Sequence, residues 1–279
     1  MRIDSHQHYW TMSRSDYGWI TPELPVLYRD YLPEDLEAHL KRHDMDGTIV
    51  VQAAPTVEET EYLFALADRY DSILGVVGWL ELSDPSHREH FERYRKHPKF
   101  VGVRIMIQDM PDANRVLEPE YVEALREYAA MDIPIDFLVK SSQLDTLNAL
   151  LDAVPGVRGV IDHIGKPRIA EQIIEPWSSQ IQRAARHPNI YCKLSGLVTE
   201  ADHEAWEPEH FQAYVEHVVG LFGEDRVMFG TDWPVCLQAA SYDEVVDVLE
   251  ASIPAAWGEK ERAKLYGDNA KTFYKLRTE

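Results

Sequence analysis

Short apolar segments alternate along this chain with longer amphipathic ones. The short segments are rich in valine, isoleucine and phenylalanine, and in the longer ones apolar residues recur every three to four positions. In segment 57–70, for example, Tyr62, Leu63, Leu66 and Ala67 share one helical face, and charged residues take the other. The alternation predicts parallel strands joined by crossover helices.

Eight strand–helix units can be placed on this pattern. The predicted strands are Arg2–His8, Thr48–Ala53, Ile73–Leu82, Phe100–Ile107, Ile133–Val139, Val157–His163, Ile190–Ser195 and Arg226–Asp232. The predicted helices include Pro33–His43, Val57–Tyr70, Pro85–His97, Pro119–Met131, Ser142–Ala153, Glu175–His187 and Pro208–Phe222. Eight units predict a distorted (β/α)8 TIM barrel that forms one domain over residues 1–279. The irregular segments Tyr9–Leu32 and Gln108–Leu117 are expected at its rim.

The amino-acid composition limits the classes of binding partner. The 279 residues include 48 acidic and 28 basic side chains, which gives a formal charge of −20. This charge repels polyphosphate and anionic lipid, so we expect neither nucleic acid nor a membrane as partner. Two cysteines and an N-terminal segment without an apolar signal indicate a cytoplasmic protein. The longest apolar run, Ile73–Leu80, is far below the roughly 20 residues of a spanning helix.

The first predicted strand carries two histidines at alternate positions. Because alternate side chains of a strand share a face, Asp4, His6 and His8 are expected to project together into the barrel. Two imidazoles at this spacing can hold one metal ion. The structural alternative is a hydrogen-bonded histidine pair that caps the core.

Two more polar residues end predicted strands. His163 ends the sixth strand and Asp232 ends the eighth. Barrel enzymes place their chemistry at the carboxyl ends of the strands, and strands one and eight become neighbours when the barrel closes. A buried Asp232 needs a cation, hydrogen-bond donors or a proton, so it either serves a functional site or is a satisfied core aspartate.

Basic and polar residues also interrupt apolar strands. Arg104 and Lys193 can neutralise an oxyanion, hold a substrate hydroxyl or pair with a barrel carboxylate, and Arg104 is the better substrate ligand because of its planar fork of donors. Gln52 and Trp79 are suited to line the pocket of a polyhydroxylated ligand, although a strand tryptophan is more often part of the core.

An ordered set of motifs resembles a known family. The motifs are Asp4-Ser5-His6-Gln7-His8-Tyr9-Trp10, Val51 to Thr60, Gly102-Val103-Arg104, Asp162-His163-Ile164-Gly165-Lys166-Pro167, Lys193 to Leu197 and Phe229-Gly230-Thr231-Asp232-Trp233-Pro234. Together they resemble the sugar-lactonase branch of the amidohydrolase superfamily, whose fuconolactonase- and rhamnonolactonase-like members open sugar lactones to aldonic acids. The resemblance implies a metal-hydrolase barrel and a small-molecule sugar lactone as the partner, and it leaves a homo-oligomer open.

The resemblance also implies a metal site. His6, His8 and Asp232, with His163 as a further candidate, match the metal positions, and zinc is the first choice. Superfamily members with two metals usually add a carboxylated lysine or a glutamate from strand four and a histidine from strand five. Here strand four offers Arg104 and strand five has no histidine, so we expect one divalent ion. Some relatives hydrolyse lactones without metal, which leaves metal-free catalysis as the alternative.

The resemblance implies a lactonase, and these residues suggest its mechanism. Water attacks the lactone carbonyl with Asp232 as general base, and Arg104 and His163 complete the catalytic group. Gln52, Trp79, Lys193, Trp10 and Trp233 are expected to bind the substrate. Hydrolysis of a lactone of the pyrone dicarboxylate type, or a metal-dependent decarboxylation, is the alternative on the same barrel. A sugar-acid binding protein without turnover is the alternative of a different class.

Overall fold

Eight parallel strands form one continuous sheet in the computed structural model, which describes residues 1–276. The strands are β1 (Ile3–Gln7), β2 (Gly47–Val51), β3 (Ile73–Trp79), β4 (Phe100–Met106), β5 (Ile135–Leu138), β6 (Gly159–Ile161), β7 (Ile190–Leu194) and β8 (Val227–Phe229). Each strand pairs with the next in chain order. Just after β8, the Asp232 N–H donates to His6 O and the His8 N–H donates to Trp233 O, both at 2.8 Å. These bonds close the sheet into a barrel and confirm the predicted fold class.

Helices surround the barrel. They are α1 (Pro33–Arg42), α2 (Val57–Ala67), α3 (His87–Tyr94), α4 (Pro119–Ala130), α5 (Leu144–Ala153), α6 (Trp177–Ala185), α7 (Glu209–Phe222), α8 (Tyr242–Ser252), α9 (Glu259–Ala263) and α10 (Asn269–Tyr274). Local sequence explains several helix starts: Pro33 and Pro119 open α1 and α4, and the Thr56 side chain accepts a bond from the Glu59 N–H at the start of α2. Within residues 1–276, none of the helices is both long and apolar enough to cross a membrane.

The apolar core has two parts. The larger cluster lies between the strands and the helices, and the smaller one contains Ile3, Val77 and Met228 from the strands together with Phe273 and Tyr274 from α10. Side chains that point into a barrel of eight strands are expected to fill it in layers. Helix α10 therefore closes the amino-terminal end of the barrel, and the carboxyl end remains available for a site.

The predicted side-chain alternation along β1 was wrong at Asp4. The β1–β2 register shifts between Asp4 and Gln7, and the Asp4 carboxylate accepts bonds from Thr231 and from Tyr242 of the outer helix α8. His6 lies on the opposite side of the strand, against Lys193 of β7. An irregularity of one residue reverses the face of every side chain before it, which the period-two pattern does not reveal.

Strands β6 and β8 are shorter than predicted. β6 ends at Ile161 and β8 ends at Phe229, whereas the apolar pattern placed His163 and Asp232 inside the strands. Both residues have positive φ, 53° for His163 and 60° for Asp232. Left-handed backbone ends a strand, so both side chains project from the turns that follow the barrel.

Candidate active site

Three imidazoles surround one carboxylate oxygen at the carboxyl end of the barrel. Asp232 Oδ1 lies 3.2 Å from His8 Nε2, 3.7 Å from His6 Nε2 and 3.8 Å from His163 Nε2. All four side chains are buried. The structure therefore brings together His6, His8, His163 and Asp232, the four residues that the sequence indicated.

A left-handed turn after β6 presents His163. His163, Ile164, Gly165 and Lys166 have φ values of 53°, 49°, 71° and 49°. This conformation costs a residue other than glycine about 1–2 kcal/mol. The hydrogen bond of 2.9 Å between His163 Nδ1 and Ser195 Oγ then fixes the ring. Such a strained backbone persists where the surrounding contacts hold it in place, and it is common at functional sites.

The protonation states of this group follow from burial and its partners. Burial alone would raise the pKa of Asp232, but the positive charge that His163 can carry, the hydrogen bond from His8 and the charge of Lys166 hold it below its usual value. Burial lowers the pKa of His163 and that of His6 well below 6.5. Asp232 is therefore ionised at neutral pH, and burial disfavours the charged forms of His6 and His163.

The same residues fit a single divalent cation. The ligand atoms of His6, His8 and Asp232 lie within 4.8 Å of one another, and we call these three residues the metal cluster. His8 Nδ1 donates to Val51 O at 2.7 Å, so its Nε2 faces Asp232. His6 Nε2 is buried and has no hydrogen-bond partner within residues 1–276. Two imidazole nitrogens and a carboxylate oxygen form the donor set of a catalytic zinc site with an open position.

A second group of potential ligands, which adds Asp162 to His6 and His163, already faces cations of the protein. Asp162 Oδ1 lies 3.1 Å from Lys193 Nζ, and Asp162 Oδ2 lies 3.6 Å from Arg104 Nη1. These two cations hold the pKa of Asp162 below its usual value although burial opposes them. The arrangement favours one metal ion over two.

Lys193 lies beneath the metal cluster inside the barrel. Its ammonium donates to Asp136 Oδ2 at 2.5 Å and to His6 Nδ1 at 3.0 Å, and the residue has no solvent exposure. The Tyr274 hydroxyl contacts both Asp136 oxygens at 2.8 and 2.9 Å. Lys193 thus contacts barrel carboxylates and a histidine, which is the pairing role that the sequence left open.

Arg104 reaches the site from β4 and is held by Gln52. Its guanidinium donates to the Gln52 side chain, with Nη2 at 2.8 Å from Oε1, and to the Gln52 main-chain carbonyl. Gln52 itself is fully buried. The Gln52 side chain therefore contacts Arg104 and the Met106 sulfur, and Arg104 lines a cavity at this end of the barrel.

Comparison with known proteins identifies the family. A family model described as "Amidohydrolase" matches residues 3–276. The chain belongs to the amidohydrolase family. This assignment confirms the resemblance that the motifs indicated.

Relatives of this amidohydrolase cover nearly its whole length. An L-fucono-1,5-lactonase of Burkholderia ambifaria is 37% identical over 278 residues, which are 99% of this chain and 96% of the relative. An L-fucono-1,5-lactonase of Burkholderia multivorans is 36% identical, with the same coverage. A crystal structure of an amidohydrolase from Burkholderia multivorans with bound zinc has a TM-score of 0.94 and 36% identity, and it covers 99% of this chain and 100% of that chain.

A cavity of about 150 Å³ opens above the metal cluster of this amidohydrolase. Its lining residues are His8, Trp19, Ala53, Arg104, Met106, Gln108, Asp109, Leu138, His163, Lys166, Asp232 and Val235. A protein cavity of about 150 Å³ is large enough for a benzene ring. The cavity is thus suited to a single small ring.

The other predicted binding residues lie elsewhere. Trp79 lines a separate cavity that adjoins this one at Met106 and Asp109. Trp10 and Trp233 are buried and contact the ring of Tyr31, with centroid distances of 5.4 and 5.2 Å. These two tryptophans shape the loop that carries the cavity residue Trp19.

Sequence reasoning missed several residues of the cavity. Lys166 follows His163 within a motif already singled out, and Asp109 and Gln108 lie in a segment expected at the rim. Trp19 lies in the other rim segment, and its Nε1 donates to Ala53 O at 2.8 Å. Their positions in the motif and rim segments were the available signal, but side-chain direction in a loop has no periodicity.

Proposed function

We propose that this amidohydrolase opens a sugar lactone of the L-fucono-lactone type to its aldonic acid. The observation that carries the proposal is the position of Asp232, whose Oδ1 is surrounded by three imidazoles in the wall of a cavity for one small ring. Full-length relatives named L-fucono-1,5-lactonase, 36–37% identical, support the same substrate class.

Asp232 is the proposed general base. Because its pKa lies below the usual value, it is a carboxylate at neutral pH and can accept a proton from the attacking water. The water oxygen forms a bond to the carbonyl carbon, and the bond from that carbon to the ring oxygen breaks. The proton held at Asp232 then passes to the departing ring oxygen, which becomes a hydroxyl.

The metal cluster is the proposed site of one divalent ion, zinc by analogy with the zinc-bound relative. Such an ion supplies Lewis-acid polarisation of the lactone carbonyl when bound. For His6, Nδ1 faces Lys193 at 3.0 Å and Asp162 at 3.2 Å, and Nε2 is the nitrogen that faces Asp232 and would hold the ion.

Arg104 is the proposed donor for the developing oxyanion. Gln52 Oε1 accepts from both Nε and Nη2 and fixes that edge of the guanidinium, so the donor needs little reorganisation as charge develops. In this proposal Gln52 acts through Arg104, and the sugar hydroxyls contact rim residues of the cavity such as Trp19 and Gln108.

The test is proton release from L-fucono- and L-rhamnono-lactones in a weakly buffered assay with the wild type and Asp232→Asn. We expect the wild type to hydrolyse at least one of them and the variant to lose at least a hundredfold in kcat, since a general base contributes about 10²–10⁴-fold. Full activity of the variant refutes the assigned base. Absence of hydrolysis by the wild type on every lactone refutes the function.

A pyrone dicarboxylate is the second candidate substrate, because Lys166 adds a cation to the cavity beside Arg104. Carboxylates of the protein already face both: Asp162 lies 3.6 Å from Arg104, and Glu200 lies 3.3 Å from Lys166. This pairing favours a neutral sugar. A panel containing both lactone classes and an aromatic carboxylate separates these hydrolases from a decarboxylase.

A further inference from the structure

Lys166 lines the cavity, and no contact with the substrate has been assigned to it so far. Its ammonium has one carboxylate partner within residues 1–276, Glu200 at a distance of 3.3 Å, and about one-fifth of the side chain is exposed. An ammonium has three donors, so donors remain for a ligand. In Arg104, Nε and Nη2 donate to Gln52, and Nη1, 3.6 Å from Asp162, remains as the nitrogen for the oxyanion, so Lys166 would add a second cation there.

The position of Lys166 is tied to that of His163. Both lie on the left-handed turn after β6, and the Lys166 N–H donates to His163 O at 2.8 Å. The turn is fixed from outside, because Trp177 Nε1 of α6 donates to Ile164 O at 2.7 Å. A lysine at the end of this turn is therefore presented to the same cavity as the imidazole at its start.

Lactone opening is favoured by donors at one atom, the carbonyl oxygen. The substrate is neutral, negative charge develops on this oxygen in the transition state, and after the ring opens the aldonic acid loses a proton to give a carboxylate that shares its charge between this oxygen and the one from water. A donor at this oxygen stabilises both species. The net charge of the protein does not attract an anion to this site, since the whole chain carries a formal charge of −20.

We propose that the Lys166 ammonium donates a hydrogen bond to the lactone carbonyl oxygen and, after ring opening, to the product carboxylate that contains this oxygen. Glu200 is its positioning residue. This inference rests on the proposed function. Lys166 is then a specificity residue, because its charge favours the anionic transition state and product over the neutral sugar.

The experiment compares Lys166→Met and Lys166→Arg with the wild type. The control is Lys140→Met, which removes an exposed lysine from the loop after β5. Two inhibitors are titrated against lactone hydrolysis: the aldonate product, and the alditol of the same sugar, which is neutral. Circular dichroism verifies the fold of each variant, and Lys166→Arg keeps the charge if the methionine variant does not fold.

We expect Lys166→Met to bind the aldonate roughly 10- to 100-fold more weakly, as for loss of a hydrogen bond to a charged group, and to lower kcat. Alditol binding and the Lys140→Met variant should remain within twofold of the wild type, and Lys166→Arg should recover part of the loss. An active wild type with unchanged aldonate inhibition in Lys166→Met overturns the role of Lys166 and leaves the lactonase function standing. A wild type inactive on every lactone overturns both.

Discussion

Replacement of Lys193 by methionine tests whether the charged network inside the barrel is held by this one ammonium. Lys193 Nζ lies 2.5 Å from Asp136, 3.1 Å from Asp162 and 3.0 Å from His6, and all four residues are fully buried. Methionine has a similar length but no charge. Lys193→Met therefore leaves two buried carboxylates without their common cation.

The expected cost follows from this geometry. Removal of one partner from a buried ion pair typically destabilises a protein by 3–5 kcal/mol, because the remaining charge stays desolvated. We expect the free energy of unfolding of Lys193→Met to fall by about that amount at pH 8. The double variant Lys193→Met, Asp136→Asn should recover part of the loss, since it also removes one of the unpaired charges.

The pH dependence gives an independent check. Burial raises the pKa of Asp136 to about 6, and Lys193 pulls in the opposite direction. A carboxyl group whose pKa is raised by folding contributes stability at low pH that is lost as the pH rises through the folded-state value. Without Lys193 that value rises further, so the destabilisation should be larger at pH 8 than at pH 5.

Urea unfolding at both pH values measures these differences, with Lys140→Met as the exposed control. A variant within 0.5 kcal/mol of the wild type at pH 8, the range typical of surface substitutions, would refute the assignment of Lys193 as the essential counter-ion.

Three further predictions concern the site itself. Gly196 has φ of 63°, and a Cβ there would lie 2.6 Å from His163 Nδ1. Gly196→Ala should therefore lower the free energy of unfolding by roughly 1–2 kcal/mol from the backbone alone. It should also lower kcat, because the Cβ displaces the imidazole. Thermal melts and initial rates measure both effects, and an unchanged kcat would contradict the positioning of His163. Elemental analysis should find about one divalent ion per chain, and dialysis against a chelator should lower the melting temperature, because a ligand present at 100 times its Kd stabilises the native state by about 2.7 kcal/mol. His8→Asn should reduce the metal content, and an unchanged content would remove His8 from the metal cluster.

The sequence predicted the barrel because its signal is repeated. Each of the eight strands begins within two residues of its predicted start, since apolar runs bounded by polar turns mark strands in every unit. The errors lie at single residues. The shifted register near Asp4 and the left-handed backbone at His163 and Asp232 are local conformations that depend on tertiary contacts, to which hydrophobic periodicity is insensitive.

The site was predictable to the extent that its chemistry lies at strand ends. His163 and Asp232 could be placed there because barrel strands deliver their last residues to one rim. The role of Lys193 was left open because a lysine that enters the barrel is compatible with a substrate or with a carboxylate such as Asp136, and only coordinates distinguish them. Lys166 was overlooked because its direction is set by a left-handed turn.

The interior charge balance explains why an acidic chain can build a site for an anionic product. Three carboxylates, Asp136, Asp162 and Asp232, face two fully or nearly fully buried cations, Lys193 and Arg104, so the barrel interior has one negative charge in excess. An unpaired buried charge is costly, and a divalent ion in the metal cluster would reverse the sign of the excess. The interior would then have one positive charge available for a developing oxyanion. The pair of Lys166 and Glu200 at the cavity adds no net charge to this buried network, and the balance is independent of the surface acidity that sets the net charge of −20.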